Sequence, residues 1–163
     1  MSDRELGKKM VEEADLALFA TAYRHVTNRS LRVHISDERP DFICSWGRAK
    51  PVGVELTEVP ITRTLLVRDL WSAADTKAEK MKRAGWRLPE RTILVLILRA
   101  SPLCEVRIDQ ASVLSDFKLG FKEIWAADYG GLDAYATIEL FGLYPKTWFG
   151  FHPRPNRFQK PYG

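Results

Sequence analysis

A mixed α/β domain, with helices flanking a central mixed sheet, is the fold class the sequence predicts, and three features predict it. Residues 3–27 repeat apolar side chains at helical spacing, and residues 31–59 switch to the two-residue alternation of strands. TILVLILRA (92–100) is apolar throughout, as a strand covered on both faces must be. With 163 residues, 45% apolar and 28% charged, the chain suits one domain over 1–163 with a single ordinary core.

Each element follows from local pattern. In the first helix, 3–27, Leu6, Met10, Val11, Ala14, Ala17 and Leu18 recur at helical spacing until His25-Val26-Thr27-Asn28 ends the run. LRVHIS (31–36), DFICSW (41–46) and VGVELTEV (52–59) read as strands, the last two around a turn carrying Gly47. AADTKAEKMKRA (73–84) reads as a helix stopped by Gly85, and the buried strand 92–100 follows. A short helix is expected around 107–118, strands at 121–128 and 135–145, and an irregular, Pro-rich end. There is no internal repeat, low-complexity block or interdomain linker.

Several function classes are excluded or left without support. No stretch approaches the roughly 18 to 20 uncharged apolar residues that cross a bilayer, and MSDRELGKKMVEE is charged where a secretory peptide is apolar, so a cytoplasmic protein without a membrane partner is expected. Cys44 and Cys104 lie in strand-like runs with no metal-ligand spacing and are expected to be free, buried thiols. His25, His34 and His152 show no ligand spacing, and no Ser/His/Asp or Cys/His arrangement supports covalent hydrolysis.

Two carboxylates remain to be explained. In VGVELTEV, alternation sends Val52, Val54 and Leu56 to one face and Gly53, Glu55 and Thr57 to the other. Asp41 opens the preceding strand behind Pro40, and the short turn brings it close to Glu55 across the ladder. Like charges so placed repel unless a cation lies between them. Mg²⁺ (or Mn²⁺) is the natural candidate, because such an ion is commonly held by one or two carboxylates plus waters and substrate phosphates.

Pro40-Asp41, thirteen intervening residues and Glu55-Leu56-Thr57 resemble the PD-(D/E)XK nuclease superfamily, the restriction-endonuclease-like fold, over roughly residues 1–100. The resemblance implies an α-β-β-β-α-β core whose Asp41 and Glu55 hold Mg²⁺, a lysine that positions or activates water, and often an acid from the first helix. The element order read above agrees with that core. Thr57, however, stands where the motif has lysine, and a hydroxyl carries no charge to stabilise a developing phosphorane.

Members of that superfamily sometimes bring the lysine from a neighbouring helix. Projection of 73–84 at 100° per residue puts Lys77 within the stripe of Ala73, Ala74, Ala78, Met81 and Ala84, with Lys80 at its margin and Lys82 and Arg83 further out. Lys77 is the leading candidate, against the bland reading of a lysine whose stem covers apolar surface. The same projection of the first helix places Glu13 at the stripe's edge as a third acid and turns Glu12 to solvent.

The net charge of +4 and pI near 9.1 suit a polyanion. Basic residues gather in KAEKMKRAGWR and RPNRFQKPYG, where Arg87, Arg154, Arg157 and Lys160 could follow a nucleic-acid backbone, or could simply be solvated. The five tryptophans could stack on bases, but core and rim are their ordinary place. Two functional expectations follow from the resemblance. One is a metal-dependent nuclease hydrolysing phosphodiester bonds, with DNA favoured over RNA and a homodimer admitted although no seam shows in the sequence. The other is a catalytically degenerate module of the same fold that binds nucleic acid or protein without cleavage. A third reading, from the residues alone, is a small interaction protein whose acidic pair is hydrogen-bonded in the core.

Overall fold

In a computed structural model the described residues are 2–36, 40–47, 51–61, 63–86, 91–100, 102–108, 119–130 and 137–153. Among them are seven strands in one mixed sheet and two α-helices.

Helix α1 spans Asp3–Thr27. It starts where Ser2 and Glu5 cap it reciprocally: the Ser2 hydroxyl accepts the Glu5 N–H at 3.2 Å and the Glu5 carboxylate accepts the Ser2 N–H at 2.9 Å. It ends at Asn28, which takes the left-handed conformation (φ 59°) and donates its N–H to the Arg24 carbonyl at 2.8 Å. The bounds match the expectation, but the buried face does not. Leu6, Met10 and Val11 are 51, 62 and 52% exposed, whereas Asp15, Leu16, Phe19, Ala22 and Tyr23 are buried. Only the second half of α1 lies on the sheet, so a stripe phased on its first half points the wrong way.

Strands β1 (Leu31–Ser36), β2 (Phe42–Trp46) and β3 (Pro51–Glu58) form an antiparallel meander. Helix α2 then carries the chain from β3 to β4 (Thr92–Leu98), which lies parallel to β3, as such a crossover requires. Strand β5 (Glu123–Asp128) is parallel to β4, and β6 (Glu139–Tyr144) and β7 (Gly150–His152) complete the sheet antiparallel. Spatial order equals chain order, β1 to β7. Every residue of β4 is buried, as its unbroken apolar run demands.

Helix α2 runs over Val67–Arg83 and so begins six residues before the expected 73. The overlooked start is marked by Asp69, whose carboxylate accepts the Leu66 N–H at 2.8 Å, and by Val67, Leu70 and Trp71, which are buried. Its end is as expected. Gly85 has φ 67° and donates to the Lys82 carbonyl, while the Trp86 N–H reaches back to Met81, so the terminal carbonyls are satisfied and Trp86 is fixed in place.

The sheet separates two cores. Phe19, Tyr23, Val54, Val95 and Trp125 pack on the α1 side, and Leu70, Trp71, Leu94, Leu96 and Phe141 on the α2 side. Three further expectations change. Residues 103–105 form a 3₁₀ turn on which Cys104 is exposed; of the helix expected around 107–118, Arg107 instead forms an isolated bridge with Leu66, and 109–118 lie outside the described residues. Cys44 alone is buried, and burial pushes its thiol up to about 11. The Pro-rich end contains a 3₁₀ turn over Lys146–Trp148 and strand β7, which the short segment GFH does not advertise. No described helix is long and apolar enough to cross a membrane.

Candidate functional site

The site forms where β2 and β3 part. Their last ladder pair is Phe42 with Val54, and beyond it side chains take over from backbone pairing. The Asp41 N–H donates to Glu55 Oε2 at 3.1 Å, and the Leu56 N–H donates to Asp41 Oδ2 at 2.8 Å. Each acid is thereby fastened to the backbone of the other's strand. Pro40, buried, precedes Asp41 and biases the chain into this extended approach.

Alternation along β3 places Val52 and Val54 in the α1-side core and Glu55 on the α2 side, where α2 crosses it. Lys77 reaches down from α2 to Glu55, with Nζ 3.0 Å from Oε1; the two side chains are 12 and 3% exposed. The ammonium also lies over the Trp86 ring, 5.5 Å from its centroid, so carboxylate and indole both contact the lysine. Asp41 feels the crowding. Burial, then the charge of Glu55 and, more weakly, that of Glu12 push its carboxyl up to about 7, against the opposing pull of the Leu56 N–H and Lys77.

These groups open into a cleft of about 960 Å³ beneath the overhanging first half of α1. Its acids are Glu5, Glu12, Asp15, Asp41, Glu55 and Glu58, and its bases are Lys8, Lys9, Lys77, Lys80 and Arg99. The balance is close to neutral, so the cleft walls are not the basic channel that net charge alone would lead one to expect. Arg99 in particular is engaged by Asp15 at 2.6 Å and Glu58 at 2.7 Å, over the Tyr129 ring. A polyanion entering here needs further positive charge at the Asp41–Glu55 end.

Of the residues singled out from sequence, Asp41, Glu55, Thr57, Lys77 and Lys80 all line this cleft. Thr57 lies two residues beyond Glu55 and is half-buried, and Lys80 is exposed one turn beyond Lys77. Glu13 does not join them. It is exposed, and Glu12, half-buried, faces the cleft instead. Rephasing α1 on Leu16, Phe19 and Tyr23 turns Glu12 and Asp15 inward and Glu13 outward, which is the physical reason for the correction. Glu12, Asp15, Trp86 and Arg99 were missed; the one available signal was Asp15, an acid inside the apolar stretch ADLALFA. Arg87, Arg154, Arg157 and Lys160 lie outside the described residues. Trp125 and Trp71 are core residues, Trp46 and Trp148 flank Arg29, and Trp86 alone of the five lines the cleft.

Chemically, the arrangement offers two carboxylates of hard oxygen donors beside one ammonium. Among the described residues no three His, Cys, Asp or Glu side chains are grouped to hold a metal ion. Any ion bound at Asp41 and Glu55 would therefore complete its shell with water or ligand oxygens, the habit of Mg²⁺ rather than of Zn²⁺. A second buried acid gives the contrast: Glu123 is held by the Tyr23 hydroxyl, the Trp125 indole N–H and Arg29. Comparison of the chain with protein-family models, with curated proteins and with solved structures finds no match.

Proposed function

We propose that this chain is a Mg²⁺- or Mn²⁺-dependent nuclease, a phosphodiester hydrolase built on a restriction-endonuclease-like core. The observation that carries the reading is the Lys77–Glu55 contact. The positive group that Thr57 cannot provide comes from α2, beside an Asp–Glu pair on adjoining strands. The order α1-β1-β2-β3-α2-β4 supports the same reading.

The residues fit such an ion. Burial and the charge of Glu55 push Asp41 toward protonation, a penalty that a bound cation would offset, and both acids line the cleft. When bound, the ion supplies Lewis acidity toward a phosphoryl oxygen and toward water. The chain supplies the rest. Asp41 and Glu55 would be the ion's ligands, each held in orientation by a backbone N–H of the neighbouring segment. The Lys77 ammonium offers donors to a water or to non-bridging phosphate oxygens, where charge accumulates during displacement. Lys80 and the Thr57 hydroxyl are placed to hold the flanking backbone, and neither reads a base.

Incubation with single- and double-stranded DNA and RNA, with Mg²⁺, with Mn²⁺ and with EDTA, tests the proposal. Metal-dependent cleavage that is lost in Asp41→Ala and Glu55→Ala supports it. Binding without cleavage in either metal points to the second reading, a degenerate module, which the hydroxyl at position 57 favours. Indifference to both metal and polynucleotide rejects the two together.

A further inference from the structure

The geometry points to Lys77 as a resident counter-ion that competes with a divalent cation for Glu55, so that the lysine must leave its seat for the metal to enter. The inference rests on the metal-binding reading above and deepens it.

Both oxygens of Glu55 already have partners: Oε1 accepts from Lys77 at 3.0 Å and Oε2 from the Asp41 N–H at 3.1 Å. The backbone partner is part of the strand junction and stays. The ammonium, on a flexible four-carbon stem, is the partner that can move. It also neutralises Glu55 in a site where an uncompensated charge is costly, which explains why a lysine on α2 bends inward rather than to solvent. Two cations sharing one carboxylate oxygen stand within about 5 Å of each other, and at that separation a monovalent and a divalent charge repel enough to cost at least tenfold in affinity. The metal therefore binds best once the lysine has swung away. Somewhere to go is already provided. The Trp86 ring, already beside the ammonium, can keep contact with it once Glu55 is given up, and a substrate phosphate in the cleft offers a stronger destination. A phosphate that draws Lys77 off Glu55 raises metal affinity, and by linkage the metal raises phosphate affinity by the same factor.

The test is a Mn²⁺ titration of the full chain at pH 7.5 without nucleic acid, following free Mn²⁺ by electron paramagnetic resonance. Wild type is compared with Lys77→Met, Lys77→Gln and Lys77→Arg. Neutral variants should bind Mn²⁺ at least about tenfold more tightly than wild type, and the arginine variant should resemble wild type. Thermal melts provide an independent readout. Lys77→Gln should melt below wild type in EDTA and recover most of the gap in saturating Mn²⁺, because the ion replaces the lost counter-charge; this holds even if Lys77→Met folds poorly. Binding by a neutral variant where wild type shows none also supports the competition. Wild-type Mn²⁺ binding that is unchanged or weakened in both neutral variants overturns the competition and leaves the metal reading standing. No binding by any of the four proteins overturns both.

Discussion

Replacing Asp41 by asparagine in the metal-free protein should stabilise it most at alkaline pH and by less than half as much at pH 5. Burial and Glu55 push the Asp41 carboxyl from the ordinary 3.8 up to about 7. Between those values the folded protein keeps a proton that the unfolded chain has released, so stability falls as pH rises through this window. The shift corresponds to roughly 4 kcal/mol once pH exceeds 7, and solvent screening at a half-buried carboxyl lowers that to about 2 kcal/mol. Asparagine keeps an oxygen to accept the Leu56 N–H and carries no charge to oppose Glu55. Urea unfolding in EDTA, followed by tryptophan fluorescence, should put Asp41→Asn ahead of wild type by less than about 1 kcal/mol at pH 5, where only part of the window has been crossed. At pH 8.5 the variant should lead by about 2 kcal/mol, equivalent to roughly 4 to 8 °C in melting temperature for a chain of this size. Saturating Mn²⁺ should erase or reverse that lead, since the ion stabilises only the protein with an intact ligand pair. A difference between the two proteins that does not change from pH 5 to 8.5, or a wild type that leads at pH 8.5 in EDTA, would refute the reasoning.

Three further outcomes test the frame around the site. Tyr23→Phe removes a hydroxyl that donates to the buried Glu123 carboxylate, at 3.0 and 3.1 Å to its two oxygens, and should cost about 2 kcal/mol by chemical denaturation while leaving Mn²⁺ affinity unchanged. Asp69→Ala should cost about 1 kcal/mol through loss of the Leu66 cap, whereas Arg63→Ala, which removes only the exposed partner of the Arg63–Asp69 ion pair, should leave the melting point essentially unchanged. In Gly142→Ala the new Cβ would fall 2.0 Å from the Trp148 carbonyl oxygen, so β6 and the turn after it must separate; a loss of about 3 kcal/mol, read as a melting point lower by roughly 6 to 12 °C, is expected.

Much of this architecture was legible locally. Both bounds of α1, the strands around 31–58, the glycine stop of α2 and the buried β4 all follow from periodicity and caps, because the forces that set them act within a turn or a strand's width. The Asp41–Glu55 apposition was legible too, since only four residues of sequence separate β2 from β3 and alternation dictates the side on which Glu55 emerges. Lys77 could be chosen over Lys82 and Arg83 from the helical projection alone, because α2 is amphipathic along its whole length.

The remainder depended on contacts between distant segments. Which stripe of α1 is buried could not be read from its apolar residues, because Leu6, Met10 and Val11 stay exposed while Leu16, Phe19 and Tyr23 are buried against the sheet. That choice is made by where the helix crosses the strands, and it carries Glu12 and Asp15 into the cleft in place of Glu13. Arg99 at the end of β4 is likewise neutralised by acids 84 and 41 positions away in the chain, so the near-neutral cleft is invisible to any count of local charge. Hydrophobic periodicity is a property of neighbours in sequence, and chain order therefore dictated the secondary structure and the acid pair. Coulomb interactions and desolvation depend on distance in space, so the partner of Lys77, the raised carboxyl of Asp41 and the balance of charge around them emerged only when the sheet brought remote residues together.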